Sequence, residues 1–347
     1  MKSNATNQSM QDFVLCLGSM GKDIFLPTDC GVVQKASQGI TTTKQWAFGY
    51  GAKMHIEDRF QAPGGCACNV SVGLKKLSVE AKACGLIGDD ADGKWLVDSL
   101  ASKGVDVQHI KQVNDGATDA SMILVHTPSG ERTIFVNRDV GENFIFEKHL
   151  LEGAPWIFIG SMYGDPIQQN MNTIHNVLTS TQTKLIYNPG YRNIQAQPRT
   201  VCDLIHHTSL LFVNKVEAQA IVGNLRTGYN ESQMEDELFL LEALSQQAAT
   251  DAKIVLTAGS RGAWVKSSKE RLYIAVQDKN IIDTTGAGDA FASGFTAAHI
   301  LKLSLADCMR WGGANSHNVI GYYGGHEGLL SKSDLENSTN DFEVIKC

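Results

Sequence analysis

The sequence predicts an α/β protein in which a mostly parallel central sheet lies between two layers of helices. From Trp156 onward, short apolar runs alternate with helical segments, and no linker of low complexity interrupts them. Each run ends in small or polar residues, a pattern typical of buried parallel strands. Before Trp156, two β-rich segments at about 24–62 and about 117–138 interrupt this alternation. The runs are Trp156–Gly160, Leu185–Asn188, Leu210–Asn214 and Ile254–Thr257.

The apolar run Phe13–Leu17 predicts the first strand of this sheet, and Asp23 follows shortly after it. Open α/β sheets bind ligands beyond the carboxyl ends of their strands. A carboxylate there can accept hydrogen bonds from substrate hydroxyl groups. A solvated turn aspartate fits the position equally well, so position alone leaves both interpretations open.

The two β-rich segments predict insertions rather than helical crossovers. The first contains short β-like pieces at Ile24–Leu26 and Trp46–Phe48. The second predicts a hairpin, with strands at Ala120–Val125 and Arg132–Val136 around a turn at Thr127–Gly130.

Three polar motifs follow predicted turns or strands. Gly64 and Gly65 open a helix in which Asn69, on residue type alone, is interpreted as the N-cap. Asn214 and Glu217 follow a strand and can both face the gap beyond it. A glutamate favoured by the helix dipole is an equal alternative for Glu217. The next strand leads into the loop from Thr257 to Gly262, which contains Gly259.

The segment Asp283–Phe291 combines a strand end, a tight glycine turn and a helix. Gly286 and Gly288 lack the Cβ atoms that would keep a ligand from the backbone. The free N–H groups of the first helical turn bind anions, above all phosphates. Asp289 lies beside these donors, which favour its ionised form, as a general base requires. This arrangement suits transfer of a phosphoryl group to a hydroxyl group.

Other interpretations of the glycine turns are less favourable. A glycine turn before a helix is often only a connection. The dinucleotide fingerprint fails because Phe291 stands where its third glycine should be. The run Gly88–Trp95 has the spacing of a P-loop, but Trp95 replaces the Ser or Thr, and three aspartates would repel phosphate.

The string from Asp283 to Phe291, followed by Ser293-Gly294-Phe295, closely resembles the C-terminal signature of the ribokinase (PfkB) family of carbohydrate and nucleoside kinases. The other motifs stand in the order of that family. The resemblance implies a ribokinase-like three-layer sandwich over residues 13–330, with residues 1–12 and 331–347 as peripheral tails. It also implies that the two β-rich insertions form a small β-sheet lid over the substrate, and members of the family often dimerise through this lid.

The resemblance implies roles for individual residues. Asp289 would be the general base, and the N–H groups of Gly286, Ala287 and Gly288 would form the anion hole. The acceptor would contact Asp23, Gly64, Gly65 and Asn69.

Two further residues bear on the acceptor. Arg138, after the second insertion, is a candidate for binding an anionic group, although a solvated arginine is an alternative. Gly21 stands where ribose-specific members carry asparagine, which weakens an assignment to ribose.

The nucleotide side is implied in the same way. The pair Asn214 and Glu217 matches an Asn-x-x-Glu motif for phosphate and Mg²⁺, with Glu217 acting through water. Asp283 and Thr285 match positions that hold a monovalent cation such as K⁺. The remaining residues implied to bind ATP are Thr257, Gly259, Gly262 and Asn315.

The expected activity is ATP-dependent transfer of the γ-phosphate to a hydroxyl group of a sugar. A nucleoside kinase is an alternative if Phe48, Tyr50 and Met54 face a base rather than the lid core. A phosphosugar kinase is another if Arg138 faces the site. A non-catalytic sugar- or nucleotide-binding protein is disfavoured by the intact Asp289.

Composition argues against a nucleic-acid-binding, membrane-spanning, secreted or zinc-binding protein. The net charge of -7 and the lack of a long basic run argue against nucleic acid as a partner. No apolar run approaches the ~18 residues of a membrane span, and the polar N-terminal residues lack a signal-peptide core. The eight cysteines are scattered, and the pair Cys66 and Cys68 has no partner pair at zinc spacing, so we expect reduced thiols and a cytoplasmic location.

Overall fold

The structure is a computed structural model and describes residues 12–35, 44–56, 58–162, 164–225, 228–338 and 341–347. The tail predicted for residues 1–12 lies outside these ranges, except for Asp12. Within the described ranges the strands are β1 (Phe13–Leu17), β2 (Gly21–Thr28), β3 (Val32–Lys35), β4 (Lys44–Ala47), β5 (Phe60–Gly64), β6 (Glu80–Gly88), β7 (Asp106–Val113), β8 (Ala120–His126), β9 (Glu131–Asn137), β10 (Trp156–Ile159), β11 (Lys184–Tyr187), β12 (Thr208–Asn214), β13 (Lys253–Thr257), β14 (Ala263–Lys266), β15 (Arg271–Ile274) and β16 (Val344–Lys346). The helices are α1 (Cys66–Lys76), α2 (Ala91–Ser102), α3 (Lys148–Glu152), α4 (Ile167–Ser180), α5 (Tyr191–Ala196), α6 (Pro198–Ile205), α7 (Lys215–Leu225), α8 (Glu231–Glu235), α9 (Glu237–Ser245), α10 (Ala287–Ile300), α11 (Leu305–Val319) and α12 (Lys332–Ser338).

Ten of these strands form the central sheet, in the order β16-β15-β14-β13-β12-β11-β10-β1-β6-β7. Every neighbouring pair from β7 to β13 is parallel. The three pairs from β13 to β16 are antiparallel. The predicted fold class, an α/β sandwich around a mostly parallel sheet, is confirmed.

The central strands are buried on both faces because helices pack on each side. In β1, Leu15 and Leu17 face one hydrophobic core, and Val14 and Cys16 face the other, since successive side chains of a strand point to opposite faces. Helices α4, α6, α7 and α9 complete the first core, and α1, α10 and α11 complete the second. Full burial of one such aliphatic side chain contributes roughly 1.5–3 kcal/mol, so the cores hold the strand ends and the loops beyond them firmly in place.

A second sheet of four strands, in the order β5-β2-β8-β9, is the small β-sheet lid of the predicted fold. Strands β2 and β5 come largely from the first predicted insertion, and β8 and β9 from the second. Phe25, Ala62, Ile123 and Val125 form its small core, and Tyr323 packs against them. Strands β3 and β4 pair as a separate hairpin.

The C-terminal segment, predicted to be peripheral, adds β16 as the edge strand of the central sheet beside β15. Phe342, which precedes this strand, is buried in the second core. Among the helices in the described ranges, none combines the length and apolar composition that a membrane crossing requires.

Candidate active site

The glycine turn before α10 has a backbone that requires glycine at its N-cap. Gly286 has φ 76°, in the left-handed region. A Cβ atom at this position would lie 2.5 Å from the Cα of Gly325. A Cβ at Gly288 would meet no atom within 4 Å, because open space lies in front of the helix start. The first N–H groups of α10 therefore face a gap that an anion can fill.

Asp289 lies in the first turn of α10 at the floor of this gap. Its Oδ2 atom accepts a 2.7 Å hydrogen bond from Nδ2 of Asn69. Burial raises the pKa of Asp289 to about 6, and the bond from Asn69 opposes this rise. The carboxylate is therefore ionised at neutral pH and titrates close to it, as a general base should.

Asn69 does not cap its helix, contrary to the interpretation from residue type. The N-cap of α1 is Gly65, and the N–H of Asn69 donates to the carbonyl of Gly65 at 3.0 Å. This frees the Asn69 side chain to reach Asp289. The Oδ1 atom of Asn69 is buried and has no hydrogen-bond partner in the described structure. It can accept a hydrogen bond from a ligand in the gap.

Asp23 lies on strand β2 of the lid, above the turn that contains Gly64 and Gly65. A Cβ at Gly64 would lie 2.3 Å from the Asp23 carboxyl group. Gly65 has φ 92°, and a Cβ there would lie 2.1 Å from the carbonyl oxygen of Ser19. Gly64 therefore lets the backbone approach lid strand β2 closely, and Gly65 lets it approach the loop between β1 and β2. Burial raises the pKa of Asp23 to about 6, with smaller upward effects from Asp283 and Asp289.

The positive charge of Arg138 lowers the pKa of Asp23. Its Nη1 atom pairs with Oδ2 of Asp119 at 3.2 Å, and its side chain is 18% exposed. The alternative of a solvated arginine therefore does not apply. Asp119 also accepts from the N–H groups of Asp139 and Gly141, so this cluster fixes the hinge after β9.

A cleft of about 260 Å³ adjoins the glycine turn of α10. Ala287 and Gly288, at the start of α10, line it. The predicted nucleotide residues Thr257, Gly259 and Gly262 also line it. The structure thus brings the loop after β13 and the start of α10 together around one space.

Asn315 does not line this cleft. It is fully buried, and its Nδ2 donates to the carbonyl of Ala290 while its Oδ1 accepts from the N–H of Leu330. Its polar atoms are thus used to join α11 to its neighbours. Gly313, Ser316 and His317 of the same helix line the cleft instead.

Asn214 and Glu217 hold each other at the junction of β12 and α7. The N–H of Asn214 donates to Oε2 of Glu217, and the N–H of Glu217 donates to Oδ1 of Asn214, both at 2.9 Å. Burial raises the pKa of Glu217, and the charge of Asp289 adds to the rise. Asn214 pairs in the sheet with Thr257, which lines the cleft, so this junction lies beside the cleft.

The residues at this junction fit a site for Mg²⁺ that is held mainly through water. Within the described ranges, no group of three or more His, Cys, Asp or Glu side chains could hold a metal ion directly. Mg²⁺ keeps several waters and takes few protein ligands when it is bound with nucleotide phosphates. An anchored carboxylate such as Glu217 can accept hydrogen bonds from those waters.

Asp283 joins the signature segment to the loop after α11. It is fully buried and accepts from the N–H and hydroxyl of Thr285, at 2.9 and 2.8 Å, and from the N–H of Gly324 at 3.1 Å. Among the described residues, Asp283 takes part in no ion pair. Its buried charge is thus compensated only by neutral donors, a setting that a monovalent cation would improve.

The sequence interpretation missed one residue that reaches the site from the lid. Arg132 of β9 donates a hydrogen bond from Nη1 to the hydroxyl of Thr284, two residues before Gly286. The predicted hairpin placed Arg132 next to a turn, but the docking of that turn on the central domain depends on tertiary packing. The cleft residues Ser316, His317 and Phe342 were also missed.

Comparisons with known proteins agree with this architecture. The profile described as pfkB family carbohydrate kinase matches residues 36–332. A ribokinase of Bacillus subtilis is 21% identical over 276 residues, which cover 79% of this chain and 86% of the relative. A nucleoside kinase of Methanocaldococcus jannaschii is 24% identical over 262 residues, which cover 74% of this chain and 78% of the relative. The crystal structure of ribokinase from Cryptococcus neoformans var. grubii serotype A in complex with ADP has the same fold, with a TM-score of 0.74, 19% identity and coverage of 94% of this chain and 99% of that chain.

Proposed function

Because the chain belongs to the pfkB family of carbohydrate kinases, we propose that it transfers the γ-phosphoryl group of ATP to a hydroxyl group of a sugar. One observation carries this proposal. Asp289 is half-buried in the first turn of α10, its Oδ2 lies 2.7 Å from Nδ2 of Asn69, and it adjoins the open N-terminus of the helix. A base and an anion site thus share one gap.

The chemistry follows from this arrangement. The acceptor hydroxyl gives its proton to Asp289 while its oxygen bonds to the γ-phosphorus. The bond from that phosphorus to the bridging oxygen breaks, and ADP leaves. The N–H groups of Gly286, Ala287 and Gly288 stabilise the charge on the transferring group. Asn69 holds the Asp289 carboxylate in position.

The acceptor side is suited to several hydroxyl groups. Asp23 can accept hydrogen bonds from two of them, and the unpartnered Oδ1 of Asn69 from another. The close approach of Gly64 and Gly65 leaves backbone groups near the acceptor. The Arg138 charge is already paired with Asp119, which favours a free sugar over a phosphosugar.

A nucleoside acceptor is the second candidate, and one observation favours it. Phe60 pairs with Phe25 across the lid sheet, and both lie on the face that carries Asp23. The ring of Phe60 also stacks on that of Tyr323, at 4.5 Å between ring centroids. A base could stack beside these rings. Tyr50 and Phe48 are less suitable for this role, because Tyr50 is fully exposed and the ring of Phe48 packs against that of Trp46 at 5.0 Å between centroids.

Bound Mg²⁺ would neutralise charge on the nucleotide phosphates. Asn214 and Glu217 would hold its waters and the phosphates in position. Asp283 and Thr285 would bind a monovalent cation such as K⁺ behind the anion hole. These assignments are supported by burial and by the hydrogen bonds at both sites.

A further proposal concerns dimerisation. The lid face opposite Asp23 carries Met122 and Phe135 as a cross-strand pair, and their side chains are 53% and 57% exposed. This exposure supports dimerisation with a second copy of the chain.

The last proposal concerns location. All eight cysteines are free thiols, which supports a reducing compartment such as the cytoplasm.

A panel of acceptors tests the activity. ATP turnover would be measured with free sugars, nucleosides and phosphosugars, with Asp289→Asn as the inactive control. We expect sugars to support turnover by the wild type and not by the variant. Turnover with nucleosides alone would select the second candidate. Binding of sugar or ATP without turnover on any acceptor would instead indicate a non-catalytic binding protein.

A further inference from the structure

A cation of the lid lies on the face that covers the active site. Arg132 is the second residue of β9 and follows directly after the turn that joins this strand to β8. It pairs with Val125 across the sheet. Val125 shares its face with Ser121, the partner of Asp23 on β2, because side chains alternate along a strand. Arg132 and Asp23 therefore lie on the same face of the lid.

Arg132 contacts the nucleotide side of the cleft. Its Nη1 atom donates to the hydroxyl of Thr284, which lines the nucleotide cleft. The carbonyl of Thr284 accepts from the N–H of Ala287 in the anion-hole turn. The same hairpin also approaches this segment at Gly130, where a Cβ would lie 3.3 Å from the carbonyl oxygen of Ile281. The lid thus meets the anion-hole loop through a positively charged side chain.

The ion pairs around the cleft distinguish Arg132 from three other cations. Three other cations around the cleft are ion-paired, Arg138 with Asp119 and both Lys215 and Arg261 with Glu237, while Lys279 donates to the carbonyl and side-chain oxygens of Asn318. Within the described ranges, no such pair includes Arg132. Its Nε atom is buried and has no hydrogen-bond partner there. Burying a cation against a neutral hydroxyl alone is unfavourable, so this position favours an anionic ligand.

We propose that Arg132 binds the transferring phosphoryl group of the nucleotide when the lid closes, an inference that rests on the proposed kinase function. A guanidinium group can bind two phosphate oxygens through parallel N–H bonds. On closure, Arg132 exchanges the Thr284 hydroxyl for these oxygens. It then stabilises the charge of the transferring group and makes closure depend on a γ-phosphate.

The position of Arg132 favours the donor phosphates over a phosphate carried by the acceptor. Its partner Thr284 lines the same cleft as Gly259 and Gly288. The cation that acts on the acceptor residue Asp23 is Arg138 instead. The two arginines thus serve opposite ends of the site.

Nucleotide binding tests the proposal independently of the acceptor. The affinities of wild type, Arg132→Ala and Arg132→Lys for a non-hydrolysable ATP analogue and for AMP would be measured calorimetrically with Mg²⁺. Arg132→Ala should weaken analogue binding by about tenfold or more, the scale of a lost charged contact, and leave AMP binding unchanged. The affinity of Arg132→Lys for the analogue should lie between those of the wild type and Arg132→Ala. Lys22→Ala removes a lid cation that pairs with Asp92 and serves as the matched control, with unchanged analogue binding.

Turnover gives the second readout. With the accepted substrate, kcat of Arg132→Ala should fall by about 10²–10³, as for loss of one donor to a transition-state anion. Added guanidinium ion at millimolar concentration should restore part of it. If no acceptor supports turnover by the wild type, the kinase function fails, and the binding experiment still decides the role of Arg132.

Three results would overturn the proposal. The first is analogue binding by Arg132→Ala that equals that of the wild type. The second is a loss confined to binding of a phosphorylated acceptor, which would assign Arg132 to the acceptor end. The third is an equal loss of kcat in Arg132→Ala and Thr284→Val with unchanged affinity for the analogue. That result would mean that the contact between Arg132 and Thr284 only holds the lid on the central domain.

Discussion

Asp289 is the side chain on which the proposed chemistry depends, and its burial links activity to stability. Its pKa is raised by burial to about 6 from an ordinary value of 3.8. A carboxyl group with a raised pKa stabilises the folded state while protonated. That contribution is complete below about pH 4 and is lost as the pH rises through about 6. Above about pH 6 the Asp289 carboxylate is ionised and can act as a base, and in the same range its burial lowers the free energy of unfolding most.

We predict that Asp289→Asn separates these two effects. Turnover should fall by roughly 10²–10⁴, the scale of lost general-base catalysis. ATP binding should be retained, because the proposed anion hole consists of backbone N–H groups. The free energy of unfolding at pH 8 should rise by up to about 3 kcal/mol, at about 1.4 kcal/mol per pKa unit. Denaturant titrations at pH 8 and pH 4 would measure this, and the gain should vanish at pH 4. Normal turnover by a variant that binds ATP would refute the assignment.

Asp23 should affect the acceptor and not the nucleotide, because it lies on the lid over Gly64. We predict that Asp23→Ala raises KM for the acceptor by roughly 5- to 150-fold, since an unpaired hydroxyl group in a closed site costs about 1–3 kcal/mol. KM for ATP should change little. Steady-state kinetics with each substrate varied in turn would measure both. Equal changes in the two constants would move Asp23 away from the acceptor.

The turn before α10 and the first turn of that helix contain two glycines, Gly286 and Gly288. Because the two differ in backbone conformation and in surroundings, substitutions at these positions form a matched pair. Gly286 is left-handed and packed against Gly325, whereas Gly288 is helical and faces open space. We predict that Gly286→Ala costs about 1–3 kcal/mol of stability through backbone strain. Gly288→Ala should keep its stability and lose affinity for ADP, because its methyl group enters the anion space. Thermal unfolding and calorimetry would separate the two, and equal stability of both variants would contradict the argument.

The junction of β12 and α7 contains the residues proposed to position Mg²⁺, and the same residues cap the start of α7. We predict that Glu217→Gln lowers activity mainly at low Mg²⁺ concentration and is partly rescued by excess metal, because its carboxylate would hold metal-bound water. Glu217→Ala should also lose about 0.5–2 kcal/mol of stability, because the reciprocal bonds with Asn214 act as a helix cap. Titration of activity with Mg²⁺ is the measurement. A loss that does not depend on Mg²⁺ would argue for a purely structural role.

Local patterns in the sequence were sufficient for the sandwich and for much of the site. Apolar runs marked the strands from β10 to β13, and the glycine motifs marked the loops that surround the cleft. Contacts between distant segments were not predictable in this way. Asn69 was interpreted as a cap because its partner Asp289 is 220 positions away in the chain. Asn315 was assigned to the nucleotide by its helix, although Ser316 and His317 are the residues that face the cleft.

The two faces of the lid sheet have different surroundings. One face carries Asp23 and covers the site. On the other, Met122 and Phe135 are paired across β8 and β9 and remain more than half exposed. A sheet face that meets water normally carries polar side chains, so two neighbouring exposed apolar side chains on this face support the proposed partner surface. A second copy of the chain would bury it symmetrically.

We predict that Phe135→Glu makes the protein monomeric, because each copy would bring a buried charge to the shared interface. Light scattering after size exclusion would measure the mass of wild type and variant at equal concentration. Val216→Glu, at an exposed position on α7 away from the lid, is the matched control and should leave the mass unchanged. Since the active-site face of the lid is untouched, ATP binding should persist in the monomer. A wild type that is monomeric at tens of micromolar, or a Phe135→Glu variant that remains dimeric, would exclude dimerisation through this face.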